Sequence, residues 1–197
     1  MIEKAKGRYS GFKGMVSWVA EMEFNNTEDV VRPITMEKRV TDKDGNMLAI
    51  EKQQFDFVEN TVTCGHDDFL RNTSSTRKFR FNKDVVNRLI LGVYIQKLIE
   101  NGKTRKDVQM VTEEPGFYDI ELKIENTEDI EINGRKRCAY RLCLGLKLGL
   151  FDFVKIFLPK AYVWHSAEPK FEWLRYKGVE SSINSPKVEI TTLEQKI

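Results

Sequence analysis

Five consecutive residues carry the densest group of reactive side chains in the chain: Cys64, Gly65, His66, Asp67 and Asp68. A thiol, an imidazole and two carboxylates this close together could bind a metal ion or form a thiolate–imidazole pair. The same residues are typical of a polar loop after a strand, with Cys64 pointing inward and the others in water. Because no second cluster supplies more ligands, we favour the loop. We expect no bound metal, no cofactor and no catalytic residue.

The second histidine, His165, lies between Trp164 and Ser166, ahead of a turn that contains Pro169. An imidazole there could titrate near neutral pH, but a half-exposed, hydrogen-bonding histidine at a strand end is the simpler expectation. The sequence contains no nucleophile-elbow, zinc-protease, P-loop or dinucleotide-binding motif. These observations favour a protein that is not an enzyme, with an enzyme kept as the minority alternative.

Large apolar residues dominate the last third of the chain. In 148–158 they interrupt the strand pattern, which indicates either a lid or contact surface over an apolar cavity or a strand buried on both faces. This segment leads into Trp164, and a short turn then leads to Trp173, so we predict that the two tryptophans lie on neighbouring antiparallel strands. The residues predicted to line an apolar ligand site are Phe151, Phe153, Phe157, Trp164 and Trp173. The alternative is that these aromatic side chains only fill the core.

Most of the chain alternates between apolar and polar residues with a period of two. In 137–148 the even positions, from Cys138 to Leu148, are apolar, which predicts a strand with that face in the core. Asp44-Gly45 and Asn133-Gly134 are typical of hairpin turns between such strands. We predict a mainly β fold, a curved antiparallel meander or half-barrel that partly encloses one apolar helix. With no repeat or linker, 1–197 is expected to be a single β-rich domain.

The helix is predicted at 84–100, where apolar residues cover nearly the whole circumference of a helical wheel. Asn82 or Asp84 could cap its start, and Gly102 could end it. The competing interpretation is that LILGVYI within this segment is itself a strand, because it is rich in residues that favour strands.

Composition limits the function classes. The chain has 197 residues, 41% of them apolar and 31% charged, with a net charge of +2. The apolar fraction is enough for a core. The nearly balanced charge gives no electrostatic signature of nucleic-acid binding. No apolar run approaches the roughly 20 residues of a membrane-spanning helix, and no signal-peptide pattern opens the chain. We expect a cytoplasmic protein as the sequence stands, or a periplasmic or envelope-associated one if an export signal has been removed.

Three stretches resemble a bacterial family known as domain of unknown function 3108. They are QFDFVENTV at 54–62, the block at 84–144, and YVWHSAEPKFEWLRYKG at 162–178. Members of that family are mostly exported or envelope-associated. The resemblance implies a curved antiparallel sheet around helical or loop material, similar to envelope carriers that shelter acyl chains, and it brings no catalytic residues.

Two functions from different classes follow as hypotheses. The first is a binding protein for an apolar small molecule, such as a lipid or acyl chain, or for an acylated partner. The second is a structural or protein-interaction module that holds no small molecule. The sequence leaves the oligomeric state open.

Overall fold

The structure is a computed structural model that describes residues 2–7, 14–25, 30–112, 116–147, 160–179 and 187–192. Within these ranges the chain forms thirteen β-strands and one α-helix. The predicted mainly β fold is therefore confirmed. Contacts along the chain divide it into two compact units, one made of 1–90 and 111–117 and the other of 91–110 and 118–197. The expectation of a single domain stays a prediction.

The first sheet is an antiparallel meander in which each strand pairs with its neighbours in sequence. Its strands are β1 Ile2–Gly7, β2 Gly14–Asn25, β3 Val30–Asp42, β4 Met47–Asp56, β5 Thr61–Asp68 and β6 Thr73–Arg80. The predicted turn between β3 and β4 is present. Gly45 has a φ of 88°, and the Asp42 carboxylate accepts hydrogen bonds from the backbone N–H groups of Asp44 and Asn46, both at 2.8 Å. An aspartate that binds its own turn in this way is a standard turn device.

The second sheet has the strand order β13-β12-β11-β10-β9-β8-β7 and curls into a half-barrel. Its strands are β7 Val85–Asn87, β8 Arg105–Val111, β9 Phe117–Ile132, β10 Arg135–Leu146, β11 Ala161–Ser166, β12 Trp173–Val179 and β13 Lys187–Thr191. The predicted turn at Asn133-Gly134 joins β9 to β10, with φ angles of 51° and 77°. Positive φ at both positions suits the twist of a tight hairpin.

The alternation predicted for β10 holds over only part of the strand. Leu142 is fully buried as expected, whereas Cys138 is exposed and its neighbour Ala139 is buried instead. Ala139 packs with Ile130 and Trp164 on the other face of the sheet. The prediction for Cys138 is wrong because a curled sheet has buried clusters on both faces, and β10 passes from one to the other.

The helix α1 spans Leu91–Glu100, so the prediction for 84–100 is right in its second part and wrong in its first. The segment before it forms β7, and the Asn87 side chain then accepts hydrogen bonds from the N–H groups of Leu89 and Ile90, both at 3.0 Å. An asparagine that satisfies these groups favours a turn ahead of the helix. The buried side chains of α1 form one face of the helix and do not cover the full circumference. They are Leu91, Tyr94, Ile95, Leu98 and Ile99.

Gly102 ends the helix as predicted. Its φ is 66°, its N–H donates to the Ile99 carbonyl at 2.9 Å, and the N–H of Lys103 donates to the Leu98 carbonyl at 3.0 Å. This pair of bonds is the Schellman motif, which needs a left-handed residue at this position.

Candidate ligand-binding site

The predicted aromatic site falls partly outside the described residues. Phe151, Phe153 and Phe157 belong to 148–159, which the described ranges leave out. Trp164 lies on β11 and Trp173 on β12, and these strands pair antiparallel, which confirms that the two tryptophans lie on neighbouring strands.

The two tryptophans face opposite sides of the sheet. Trp164 pairs with Arg175, whereas Trp173 pairs with His165, the residue after Trp164. Successive strand residues point to opposite faces, and cross-strand partners share a face. In agreement, a Cβ at Gly92 of the helix would lie 3.7 Å from the Trp173 ring. The ligand site among the five aromatic residues stays a prediction, and these two cannot line one wall of it together.

Trp164 is a core residue whose indole N–H is hydrogen-bonded to a carboxylate. It is 6% exposed and packs against Ile130, Ile132 and Leu174. Its indole N–H donates to Glu128 Oε1 at 2.7 Å, and this bond lowers the pKa of Glu128 below its ordinary value. A ring so enclosed offers little surface to a ligand.

Cys64 and His66 lie in strand β5, so the predicted loop is wrong, although Cys64 points inward as predicted. Pairing with β4 on one side and β6 on the other holds this polar sequence extended, and such context overrides its weak strand propensity. Cys64 is 2% exposed, and burial raises the pKa of its thiol to about 11. The thiol is therefore protonated at neutral pH and is a poor nucleophile.

His66 belongs to a row of ionisable side chains across the first sheet. Its Nδ1 lies 3.8 Å from Glu51 Oε1, and Lys38 Nζ lies 3.6 Å from Glu51 Oε2. Cross-strand pairing aligns these three residues on one face. In the part of the chain that the structure describes, no group of three or more His, Cys, Asp or Glu side chains is placed to hold a metal ion. Within the row, Lys38 and Glu51 form an ion pair between β3 and β4, and the His66 imidazole lies beside it.

His165 is completely buried, which corrects the expectation of a half-exposed residue. Its Nδ1 lies 2.7 Å from the Phe171 carbonyl oxygen, so Nδ1 carries the proton and donates it. Burial lowers the pKa of the imidazole to about 4, although the bond to Phe171 acts in the opposite direction. Phe171 and the preceding Lys170 have φ angles of 43° and 85°. The neutral His165 side chain thus hydrogen-bonds to a turn in which two residues other than glycine have positive φ angles.

A concave site is present in the first unit. It is a pocket of about 390 Å³, which we call the Phe57 pocket. It lies where the start of β3, the turn between β4 and β5, and the segment after β6 meet. The lining residues are Val31, Arg32, Phe57, Asn60, Phe81, Asn82, Lys83, Asp84 and Val85.

Local sequence explains how the turn brings Phe57 to this pocket. β4 ends at Asp56, whose carboxylate accepts the N–H groups of Val58 and Glu59 at 2.9 Å each. Asn60 then adopts a φ of 53°, which asparagine tolerates well. The Asn60 carbonyl accepts the N–H of Phe81 at 2.9 Å, which fixes the segment after β6 beside the turn.

The pocket lining combines apolar side chains with polar and charged ones. Val31 and Val85 are each 2% exposed. The rings of Phe57 and Phe81 meet edge to face at 5.2 Å, and the Arg32 guanidinium carbon lies 5.1 Å from the Phe57 ring centre. Such aromatic and cation–π contacts hold Phe57 in place. Ligand sites are typically concave and lined by apolar side chains with a few placed polar groups; here four lining residues are apolar and five are polar or charged.

This pocket is not among the sites predicted above, although the sequence contains a signal for it. Phe55-Asp56-Phe57 and Phe79-Arg80-Phe81 are two tripeptides in which phenylalanines flank a charge, each at the end of a strand. The register pairs Phe55 with Val62 and Val62 with Phe79. Both tripeptides therefore reach the same end of the sheet, where Phe55, Phe81 and their neighbours form a core cluster.

Comparisons with protein-family models, curated proteins and solved structures find no match to this chain. The resemblance to the bacterial family described above stays a prediction. Over the described ranges, the structure has no helix with the length and apolarity needed to cross a membrane.

Proposed function

We propose that this protein is a non-enzymatic binding protein that holds a small apolar ligand, such as an acyl chain, in the Phe57 pocket. The observation that carries the proposal is the pocket itself, whose lining includes two buried valines and two phenylalanine rings. Burial of apolar ligand surface against such a lining supplies about 25 cal/mol per Å².

The volume of the Phe57 pocket and the charges of its lining residues indicate which class of ligand it would bind. Small-molecule pockets range over about 300–1,000 Å³, so a pocket of about 390 Å³ suits a medium-length chain better than a long lipid. The charged lining residues are Arg32, Lys83 and Asp84, a net charge of one positive. We therefore favour an apolar chain that ends in an anionic group, such as a carboxylate.

The chemistry of the candidate reactive residues supports binding over catalysis. The Cys64 thiol is protonated at neutral pH because burial raises its pKa. His165 is buried and neutral. General acid–base catalysis needs a group with a pKa near the working pH and within reach of a substrate, and neither residue has that combination.

The test is calorimetric titration of the protein with decanoate. We expect the wild type to bind, and Phe57→Asp to weaken binding at least about tenfold, because a carboxylate at the pocket wall opposes both the apolar chain and its anionic end. Phe69→Asp is the matched control, since Phe69 is 52% exposed on the turn between β5 and β6. Circular dichroism checks that both variants keep their strands.

Equal binding by wild type and Phe57→Asp would place the ligand elsewhere and refute the pocket. The absence of binding by the wild type to decanoate and to the neutral analogue decanol would refute the proposal as a whole.

A further inference from the structure

Strand β6 forms an edge of the first sheet. It is the last strand in the order, and among the described strands it pairs only with β5. Seven of its eight side chains are exposed, and Phe79 is half-buried. An edge strand presents unpaired N–H and C=O groups along its open side, and these are a template for another strand. Within the described residues no other strand lies along this side of β6, which leaves this edge for a partner.

The positive charge of this region is concentrated at one end of the edge. The segment 71–83 contains five basic residues and no acidic one. Arg71 lies at the turn before β6, 3.7 Å from Asp68, whereas the other four lie at the C-terminal end of β6 or just after it: Arg77, Lys78, Arg80 and Lys83. At the C-terminal end of β6, Arg77, Lys78 and Arg80 pair with Cys64, Thr63 and Thr61 on β5, which carry no charge at neutral pH.

The other end of the edge differs. Ser74 pairs with Asp67 and donates a hydrogen bond to its carboxylate at 2.6 Å. Asp68 pairs with Thr73. The edge therefore has a direction, with acidic neighbours near the turn and basic side chains at the far end.

The charges along β6 favour one kind of binding partner for this edge over two others. A second copy of the chain, paired edge to edge in the antiparallel direction, would place Arg77, Lys78 and Arg80 opposite the uncharged residues Thr73–Thr76, so it offers no acidic side chain on the pairing strand. Single-stranded nucleic acid needs exposed aromatic faces for stacking. Here Phe81 is 6% exposed, and the half-buried Phe79 is stacked on Phe117 with ring centres 5.6 Å apart. An extended acidic peptide complements both the open backbone and the charge.

We infer that β6 binds an extended segment of a partner protein as an added seventh strand, with acidic residues of that segment facing Arg77, Lys78 and Arg80. In this mode main-chain hydrogen bonds supply affinity and alternate side chains supply specificity. The charges steer the association and fix the register.

The experiment uses a fluorescent peptide as long as β6, in which glutamates at adjacent positions place carboxylates on both faces of the strand and valine and threonine fill the other positions. Fluorescence anisotropy is expected to show binding, and amide resonances of Thr73–Arg80 are expected to shift in NMR spectra. The variant Arg77→Glu/Arg80→Glu is expected to weaken binding at least about tenfold through charge repulsion. The control Lys123→Glu/Lys136→Glu makes the same charge change on exposed residues of β9 and β10 and is expected to bind like the wild type.

A second peptide of the same sequence, with N-methyl groups at alternate residues, separates strand addition from simple charge attraction. It keeps every carboxylate and loses main-chain donors, so we expect at least about a tenfold loss of affinity. Equal binding of the methylated peptide would overturn the inference. So would tighter binding of a DNA oligonucleotide than of the peptide, or no binding of the unmethylated peptide.

Discussion

The buried His165 gives a quantitative prediction for stability against pH. Its imidazole is fully buried, and burial lowers the pKa from its ordinary value of 6.5 to about 4. Between these values the unfolded chain binds a proton that the folded chain does not. Stability from this residue is therefore complete above pH 6.5 and is lost as the pH falls towards 4. Each pH unit between the two pKa values changes the free energy of unfolding by about 1.4 kcal/mol. The loss of unfolding free energy therefore reaches about 2 kcal/mol at pH 5 and about 3 kcal/mol at pH 4.

The assay is urea unfolding of the wild type and His165→Asn between pH 7.5 and pH 4.5. The asparagine amide can replace the donor that bonds to the Phe171 carbonyl but cannot take up a proton in this range. The free-energy difference between the two proteins isolates His165, because the other titrating groups are common to both. We expect the advantage of the wild type at neutral pH to shrink by about 2 kcal/mol on moving to pH 5.

Parallel pH profiles for the two proteins would refute this reasoning. NMR gives an independent check that does not depend on the stability of the variant. The chain has two histidines, and His66→Gln leaves a single imidazole signal, which is expected to titrate near pH 4. A midpoint near 6.5 for that signal would contradict the burial argument.

Two further predictions concern packing and reactivity. Gly178→Ala is expected to destabilise the protein by about 1–3 kcal/mol in thermal unfolding, because its Cβ would lie 2.7 Å from the Ala161 Cβ, which cannot move without strand β11, and 2.6 Å from the Tyr176 hydroxyl. Gly65→Ala, where nothing lies within 4 Å, is the control, and equal melting temperatures for the two variants would contradict the argument. In thiol labelling at pH 7.5, the exposed Cys138 is expected to react quickly and Cys64, whose thiol pKa is raised to about 11, only after unfolding. The prediction for the thiols would be contradicted if mass spectrometry finds Cys64 and Cys138 modified at the same rate in the native protein.

The sequence predicts features that depend on neighbouring residues. Hairpin turns at Gly45 and Gly134, and the helix end at Gly102, each follow from a residue that tolerates positive φ. The pairing of β11 with β12 likewise follows from a short polar turn between two aromatic strands. These signals are local, so no knowledge of distant segments is needed.

Features that depend on distant segments could not be predicted in this way. β5 is a strand because β4 and β6 pair with it, not because of its own polar residues. His165 is buried by residues on other strands, so its position at a strand end misleads. The Phe57 pocket needs three separate segments of the first unit, and only their folded register places Phe57 beside Phe81. Burial of this kind is a property of the tertiary structure.

The meander order of the first sheet has a consequence for folding. Every pairing from β1 to β6 joins strands that are adjacent in sequence. The entropy cost of closing a loop rises with its length, and folding slows as contacts become more distant along the chain. This sheet is therefore expected to form hairpin by hairpin during synthesis, with each completed strand serving as the template for the next one to leave the ribosome.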